Sequence, residues 1–179
     1  MILILQGDRK KAIYKFMASK NKISEVLIVC RANITRSVYI SGYMNMILKE
    51  SILKKNINIT SAGIEARNGS SPNQVIRHVA HLNGFNVNDH KSKKLTLEIA
   101  NNVDIILTME DWQNDFINEN FTLEKNKVFK ITNYLSKKRK TKNSDISDPT
   151  GMDTIFYRKF FEIAHRESKR IISCLNNYN

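Results

Sequence analysis

Residues 26–37 read Val26-Leu27-Ile28-Val29-Cys30-Arg31-Ala32-Asn33-Ile34-Thr35-Arg36-Ser37, and the rest of the chain can be interpreted outward from them. The four apolar residues at the start predict a buried strand of a parallel sheet. Apolar residues at helical spacing follow Ser37 and predict a helix that begins at the loop. A strand, a short loop and a helix N-terminus form an anion site, because unpaired backbone N–H groups and the positive end of the helix dipole face the loop.

The side chains of this loop suit a phosphate group that is being transferred. Cys30 is the candidate nucleophile, because the N–H groups, the helix dipole and the Arg36 charge all favour its thiolate. Arg36 offers a planar fork of donors for two phosphate oxygens. Ser37 can donate a hydrogen bond to the sulfur, and Asn33 tolerates the left-handed backbone of a tight loop. A lone cysteine at a strand end is more often a small buried hydrophobic residue, but the full set at this spacing favours catalysis.

The stretch resembles the phosphate-binding loop of the low-molecular-weight protein tyrosine phosphatases. Further motifs similar to that family are Ser61-Ala62-Gly63, His90-Lys91-Ser92-Lys93-Lys94-Leu95-Thr96, Asp104-Ile105-Ile106-Leu107-Thr108-Met109-Glu110 and Asp148-Pro149. The resemblance implies that Cys30 and Arg36 are catalytic and that Asp148 is the general acid. It also implies substrate binding by the other loop residues, Arg31, Ala32, Asn33, Ile34, Thr35 and Ser37. We therefore expect a phosphatase domain over residues 24–179, preceded by a basic extension of unknown role over residues 1–23.

Three loop positions depart from the common pattern of the family. Thr35 stands where many members carry a second cysteine, so a protective disulfide with Cys30 is not expected. Ile34 stands where relatives that act on phosphoarginine have threonine, which favours phosphotyrosine. Arg31 stands where an apolar wall residue is common, and the sequence does not supply every wall of a slot for an aromatic ring. Phosphotyrosine is thus the favoured substrate, while phosphoarginine or another phosphoester stays open.

The alternation of strands and helices predicts the fold class. Apolar segments at residues 26–29, 57–61, 103–108 and 127–131 predict four strands separated by helical segments. Such a chain forms an α/β fold, a four-stranded parallel sheet in the order 2-1-3-4 with helices on both faces. Right-handed crossovers then place the first strand at a topological switch point, with Cys30 at the ligand-binding end of the sheet.

Two of the predicted helices have a distinct face. In the helix that follows Pro72, this face carries Val75, Ile76, Val79, Leu82 and Asn83. In the last helix, over residues 153–175, we expect the core side to carry Phe156, Phe160, Ile163, Ala164, Ile171 and Leu175.

Composition bounds the possible partners and the location. The chain has 179 residues, of which 41% are hydrophobic, and 29 basic against 17 acidic residues give a net charge of +12. This charge, which includes a basic run at residues 137–142, favours anionic substrates such as phosphorylated proteins. No motif for nucleic acid is present, and no apolar run approaches the roughly 18 residues that a membrane span requires. The two distant cysteines suit a reducing compartment, so we expect a cytoplasmic protein.

No metal and no cofactor is expected. His78 and His81 are spaced three apart on a predicted helix, but no further ligand joins them at a suitable spacing. Arg36 and the loop N–H groups can neutralise the charge that develops during phosphoryl transfer.

The sequence therefore predicts a phosphotyrosine phosphatase that works through a cysteinyl-phosphate intermediate. Three alternatives remain beside it. An arsenate reductase of the same fold would need further cysteines, and only Cys174 is present. A phosphate- or phosphoprotein-binding module without catalysis is disfavoured by the presence of Cys30, Arg36 and Asp148. A nucleic-acid binder rests on charge alone.

Overall fold

The computed structural model describes residues 23–50, 57–136 and 144–176. Within these ranges the elements are β1 (Glu25–Cys30), α1 (Arg36–Lys49), β2 (Asn58–Gly63), α2 (Gln74–Leu82), α3 (Leu97–Asn101), β3 (Ile105–Thr108), α4 (Asp111–Asn120), β4 (Val128–Lys130) and α5 (Thr154–Asn176). The basic run at 137–142 and, except for Ile23, the predicted N-terminal extension lie outside the described residues. None of the described helices is both long and apolar enough to cross a membrane.

The four strands form one parallel sheet in the order β2-β1-β3-β4. This confirms the predicted strand order. β1 is an inner strand, with Val26 opposite Ile59 of β2 and Ile105 of β3. Because β1 has neighbours on both sides and helices on both faces, the residues from Val26 to Val29 are almost completely buried.

Alternate side chains of β1 enter two separate hydrophobic cores, as the pleat of a strand requires. Val26, Ile28 and Cys30 pack into the larger core, which also contains residues of α1, α2 and α5. Leu27 and Val29 point to the other face and pack with residues of α3 and α4. The sheet is thus covered on both faces.

The predicted core side of α5 is partly wrong, and the face predicted for α2 is only partly buried. In α2, Ile76 is fully buried, whereas Val75 and Leu82 are 39% and 69% exposed. In α5, Phe156 is 44% exposed and the adjacent Tyr157 is buried in its place. Consecutive helical residues are about 100° apart around the axis, so a face chosen one residue too early includes a side chain that points to solvent.

The carboxyl ends of the strands meet at one edge of the sheet. Cys30 ends β1, Gly63 ends β2, and the segment beginning at Met109 follows β3. Parallel strands place the loops that follow them on the same side. Residues far apart in sequence are thereby brought together at this edge.

Candidate active site

The loop of residues 30–37, called here the cysteine loop, connects β1 to α1. Its backbone turns through Asn33, which has a φ of +54°, as the sequence predicted from the tolerance of asparagine for left-handed geometry. The strand ladder continues past the end of β1, because Ile64 N donates to Cys30 O and Glu65 N donates to Arg31 O. The first two residues of the loop are therefore attached to the segment that directly follows β2.

Cys30 Sγ lies within a set of hydrogen-bond donors. The backbone N–H of Asn33 donates to the sulfur at 3.3 Å, and Ser37 Oγ stands 3.1 Å from it. Asn33 Nδ2 donates to Ser37 Oγ, which leaves the hydroxyl hydrogen of Ser37 available to the sulfur. These donors stabilise negative charge on Cys30.

Asn33 fixes the conformation of the cysteine loop through four hydrogen bonds. Its side chain is completely buried and donates to Ser37 Oγ and to Ser61 Oγ, both at 2.9 Å. Its Oδ1 accepts from Lys93 N at 2.8 Å, and its carbonyl accepts from His90 Nε2 at 3.0 Å. A carbonyl can only accept, so His90 carries a hydrogen on Nε2. Burial lowers the pKa of His90, against the opposing effect of this bond, and nearby Lys93 lowers it further.

Gly63 lies in contact with the backbone of the cysteine loop. A Cβ atom at this position would stand 2.7 Å from Arg31 O and 2.7 Å from Asn33 N. Backbone atoms held by hydrogen bonds cannot move aside as the end of a flexible side chain can. The absence of a side chain at Gly63 therefore allows the loop to pack against β2.

We expect Gly63→Ala to displace the cysteine loop, lowering kcat by at least about tenfold and the free energy of unfolding by about 1–3 kcal/mol, the usual cost of overpacking. Assays of the predicted phosphatase activity measure the first effect, and thermal unfolding measures the second. Gly42→Ala is the matched control, because its Cβ would instead meet the side chains of Phe85 and Val87 at 2.8 and 3.0 Å. An equal loss of kcat in both variants would mean that the contact with the loop has no specific role.

Arg36 is 1% exposed and its guanidinium contacts three groups from distant parts of the chain. Nη1 donates to Glu110 Oε2 at 2.7 Å and to Ile146 O at 2.8 Å. Nη2 donates to Asp148 Oδ2 at 2.8 Å. The buried Nε has no hydrogen-bond partner within the described ranges. Nε and Nη2 form one edge of the guanidinium fork, the edge that can donate side by side to two oxygens.

Glu110 was missed as a site residue, because in the sequence it is simply an acidic residue at the start of a helix. The same Oε2 that accepts from Arg36 also accepts from Trp112 Nε1 at 3.1 Å and from Gln113 Nε2 at 3.0 Å. These three donors hold the Glu110 carboxylate in place. Its position just after β3 was the available signal, since the segments that follow neighbouring parallel strands share one edge of the sheet.

Residues 144–151, called here the Asp148 loop, bring their carboxylate to Arg36. Asp148 Oδ1 accepts from Thr150 N at 3.0 Å, an Asx turn. Thr150 Oγ1 in turn lies 2.9 Å from Thr35 Oγ1 of the cysteine loop. Ile146 N donates to Met109 O at 2.9 Å. These bonds join the Asp148 loop both to the cysteine loop and to the segment after β3.

Asp145, the other carboxylate of this loop, is bound elsewhere. Lys130 Nζ lies 2.6 Å from Asp145 Oδ1 and 2.7 Å from Asp111 Oδ2. Burial alone would lower the pKa of Lys130, but the hydrogen bonds and the negative charges of Asp145 and Asp111 outweigh it and raise the pKa. Lys130 was not identified from the sequence, where it is one of many lysines. It anchors the Asp148 loop at the end of β4.

The structure brings together all nine residues predicted for the site. Cys30, Arg36 and Asp148 are joined through the cysteine loop and the ion pair at 2.8 Å. Of the six others, Asn33, Thr35 and Ser37 are buried, Ala32 and Ile34 are partly buried, and Arg31 is exposed. Trp112 is partly buried and packs against the smaller core. It also lies beneath the guanidinium of Arg31, at 5.4 Å.

Comparison with protein families gives one match over most of the chain. The model of the family described as low molecular weight phosphotyrosine protein phosphatase matches residues 25–178. The matched region contains the cysteine loop, the segment after β3 and the Asp148 loop.

Individual relatives and solved structures agree with this match. The low molecular weight protein-tyrosine-phosphatase Ptp of Acinetobacter johnsonii is 28% identical over 139 residues, which is 76% of this chain and 87% of that protein. The protein-arginine-phosphatase of Bacillus subtilis is 27% identical over 141 residues, 75% of this chain and 85% of that protein. The crystal structure of a low molecular weight protein tyrosine phosphatase from T. tengcongensis superposes with a TM-score of 0.75 at 26% identity, covering 84% of this chain and 98% of the other.

Proposed function

This chain belongs to the low molecular weight phosphotyrosine protein phosphatase family, and on that premise we propose that it hydrolyses phosphotyrosine in proteins through a phosphorylated Cys30. The observation that supports this most is the ion pair of Arg36 with Asp148. It joins a charge of the cysteine loop to a carboxylate 112 residues away at 2.8 Å. The residues that we propose as nucleophile, anion clamp and acid are thereby linked through the cysteine loop and this ion pair.

In the first step, the Cys30 thiolate attacks phosphorus in line with the leaving oxygen. The sulfur–phosphorus bond forms as the bond to the tyrosyl oxygen breaks, and Asp148 gives its proton to that oxygen. Two equatorial phosphate oxygens accept from Nε and Nη2 of Arg36, and the loop N–H groups bind the phosphate as well. In this arrangement Arg36 Nη2 donates to the substrate instead of to Asp148, and the carboxyl group of Asp148 turns toward the leaving oxygen. Glu110 and the carbonyl of Ile146 hold Nη1 throughout.

In the second step, water attacks the phosphocysteine. Asp148, now ionised, takes a proton from the water, whose oxygen binds phosphorus while the bond to sulfur breaks. The departing thiolate of Cys30 is stabilised by Ser37 and by the N–H of Asn33, at 3.1 and 3.3 Å in the free enzyme. Inorganic phosphate leaves and the enzyme is restored.

One residue favours phosphotyrosine over phosphoarginine. Ile34 presents an apolar, partly buried side chain in the cysteine loop. An aliphatic surface gains from burying a phenyl ring, but it offers a guanidinium group neither a charge nor a hydrogen-bond partner. Phosphoarginine is the second candidate, because a relative of comparable identity is named a protein-arginine-phosphatase.

The test compares three phosphopeptides of equal length, carrying phosphotyrosine, phosphoarginine or phosphoserine, in buffer that contains a metal chelator. We expect kcat/KM for phosphotyrosine to exceed that for phosphoarginine by about tenfold or more, the discrimination that a hydrophobic pocket can supply. Hydrolysis of an aryl phosphate under the same conditions serves as the positive control. Faster turnover of phosphoarginine would reverse the assignment, and no turnover of any ester would refute the phosphatase function.

The domain boundary and the location are further parts of this proposal. The family match over residues 25–178 supports a phosphatase domain at 24–179. Cys30 and Cys174 are both free thiols in the structure, which supports a location in the cytoplasm, where thiols stay reduced.

A further inference from the structure

Arg31 lies at the surface of the cysteine loop, between an acidic and an aromatic side chain. Its Nε stands 3.0 Å from Glu65 Oε2, and 59% and 56% of the two side chains are exposed. Its guanidinium carbon lies 5.4 Å from the centre of the Trp112 ring system. The backbones of Arg31 and Glu65 are also joined by a hydrogen bond of 2.8 Å. An exposed positive charge is thus held in a defined place.

This place is next to the predicted reaction centre. Arg31 follows Cys30 directly, so their Cα atoms are about 3.8 Å apart. The indole beneath Arg31 donates to Glu110 Oε2, the same oxygen that accepts from Arg36. The guanidinium of Arg31 therefore stands beside the entrance to the phosphate site rather than within it. The substrate residues on either side of the phosphorylated residue would pass close to Arg31.

The pair between Arg31 and Glu65 is of a kind that another carboxylate can replace. Ion pairs between exposed side chains contribute little to stability, because water solvates the separated charges well. The contact with Trp112 does not depend on Glu65, since a guanidinium stacks on an aromatic ring through its own plane. Arg31 would therefore keep its position when Glu65 is displaced. Its fork of donors then faces an incoming carboxylate.

We propose that Arg31 binds a carboxylate of the substrate, from an aspartate or glutamate adjacent to the phosphotyrosine, and that Glu65 occupies this position in the free enzyme. The proposal rests on the phosphotyrosine phosphatase function proposed above and adds a preference for acidic sequence around the phosphorylated residue. The net charge of +12 agrees with an anionic substrate but does not select a position. The location of Arg31 beside the phosphate site does select a position, the one adjacent to the phosphorylated residue. Glu65 acts as a competitor, so its removal strengthens the preference.

Three phosphotyrosine peptides test this, with glutamate immediately before, glutamate immediately after, or glutamine at both of these positions. For the natural protein at low salt, we expect one of the acidic peptides to exceed the neutral one in kcat/KM by about twofold, because Glu65 competes for Arg31 and an exposed ion pair contributes little. The difference should lie mainly in KM and shrink at high salt. Arg31→Met should abolish this preference, Arg31→Lys should retain part of it, and Glu65→Gln should raise it to about fivefold, the upper range for an exposed ion pair.

Lys49→Gln is the matched control for loss of one positive charge. Lys49 is exposed at the far end of the 14-residue helix α1, about 20 Å from the loop, and its variant should keep the preference. Equal rates for all three peptides, an unchanged preference in Arg31→Met or Glu65→Gln, or an equal loss in Lys49→Gln would each overturn the proposal. Hydrolysis of a small aryl phosphate, measured for every variant, gives the reference rate against which its peptide rates are compared. If the natural protein fails this assay, the phosphatase function is refuted instead.

Discussion

Replacing Cys30 by serine should reduce turnover of phosphotyrosine peptides by roughly 10⁴-fold or more, because a serine hydroxyl lacks both the ionisation and the nucleophilicity of a thiolate. Binding of inorganic phosphate should persist. Its ligands in the proposal are the loop N–H groups and Arg36, and the buried loop is held by hydrogen bonds of Asn33 that do not involve the sulfur. Steady-state kinetics measures the first effect, and titration calorimetry with phosphate measures the second.

Cys174→Ser is the control for Cys30→Ser, since Cys174 is a partly buried thiol of helix α5. It should retain turnover close to that of the natural protein. If the serine variant of Cys30 turned over substrate at a comparable rate, Cys30 could not be the nucleophile. Loss of phosphate binding along with turnover would mean that the substitution had disturbed the loop itself.

The second large effect concerns Asp148. Asp148→Asn should slow the hydrolysis of esters with poor leaving groups by about 10²–10⁴-fold, the usual contribution of a general acid. Asparagine has nearly the same shape and can still accept from Arg36, but it cannot donate a proton to the leaving oxygen. Activated aryl phosphates should be affected much less, because their leaving oxygen needs little protonation. Rates over a series of substituted phenyl phosphates measure the change in leaving-group dependence.

Asp145→Asn separates this role from a structural one. Asp145 is bound to Lys130 at 2.6 Å, and its variant should weaken the attachment of the Asp148 loop while keeping the natural dependence on the leaving group. The assignment of the acid would be wrong if Asp145→Asn, and not Asp148→Asn, made the rate strongly dependent on the leaving group.

The sheet could be predicted in detail because its signals are local. Four consecutive apolar residues from Val26 to Val29 indicate a strand buried on both faces. The other three apolar segments each come after a connection long enough for a parallel crossover. The order β2-β1-β3-β4 then follows from handedness and from the position of the cysteine loop. The fold class needed no information on individual side-chain contacts.

The cysteine loop could be predicted for a similar reason. Its functional side chains all come from consecutive residues. The left-handed Asn33 and the proximity of Ser37 to Cys30 therefore follow from spacing alone. Asp148 was identified through its Asp-Pro motif and the family resemblance. Its contact with Arg36 was beyond sequence reasoning, because it depends on how the segments after β1, β3 and β4 meet.

The parts of the site that were missed are those made by long-range contacts. In a local interpretation, Glu110 begins a helix, Trp112 is a packing residue and Lys130 is one lysine of a strand. Glu110 contacts Arg36, which lies 74 residues earlier in the chain, and Lys130 contacts Asp145, which lies 15 residues later. A single sequence shows no correlated substitutions between contacting positions, so it cannot indicate such partners. The exposed Phe156 shows the same limit within a helix, where an error of one residue rotates the expected face by about 100°.

The phosphorylated Cys30 is the central claim, and rapid acid quench tests it most directly. The protein is mixed with an activated aryl phosphate, quenched in acid within a few milliseconds, digested and examined by mass spectrometry, with Cys30→Ser treated in parallel. We predict that the natural protein carries the mass of one phosphoryl group on the peptide that contains Cys30, and that this signal vanishes after complete turnover of the substrate. Phosphate found on another residue, or rapid turnover with no phosphorylated enzyme in the presteady state, would contradict the account.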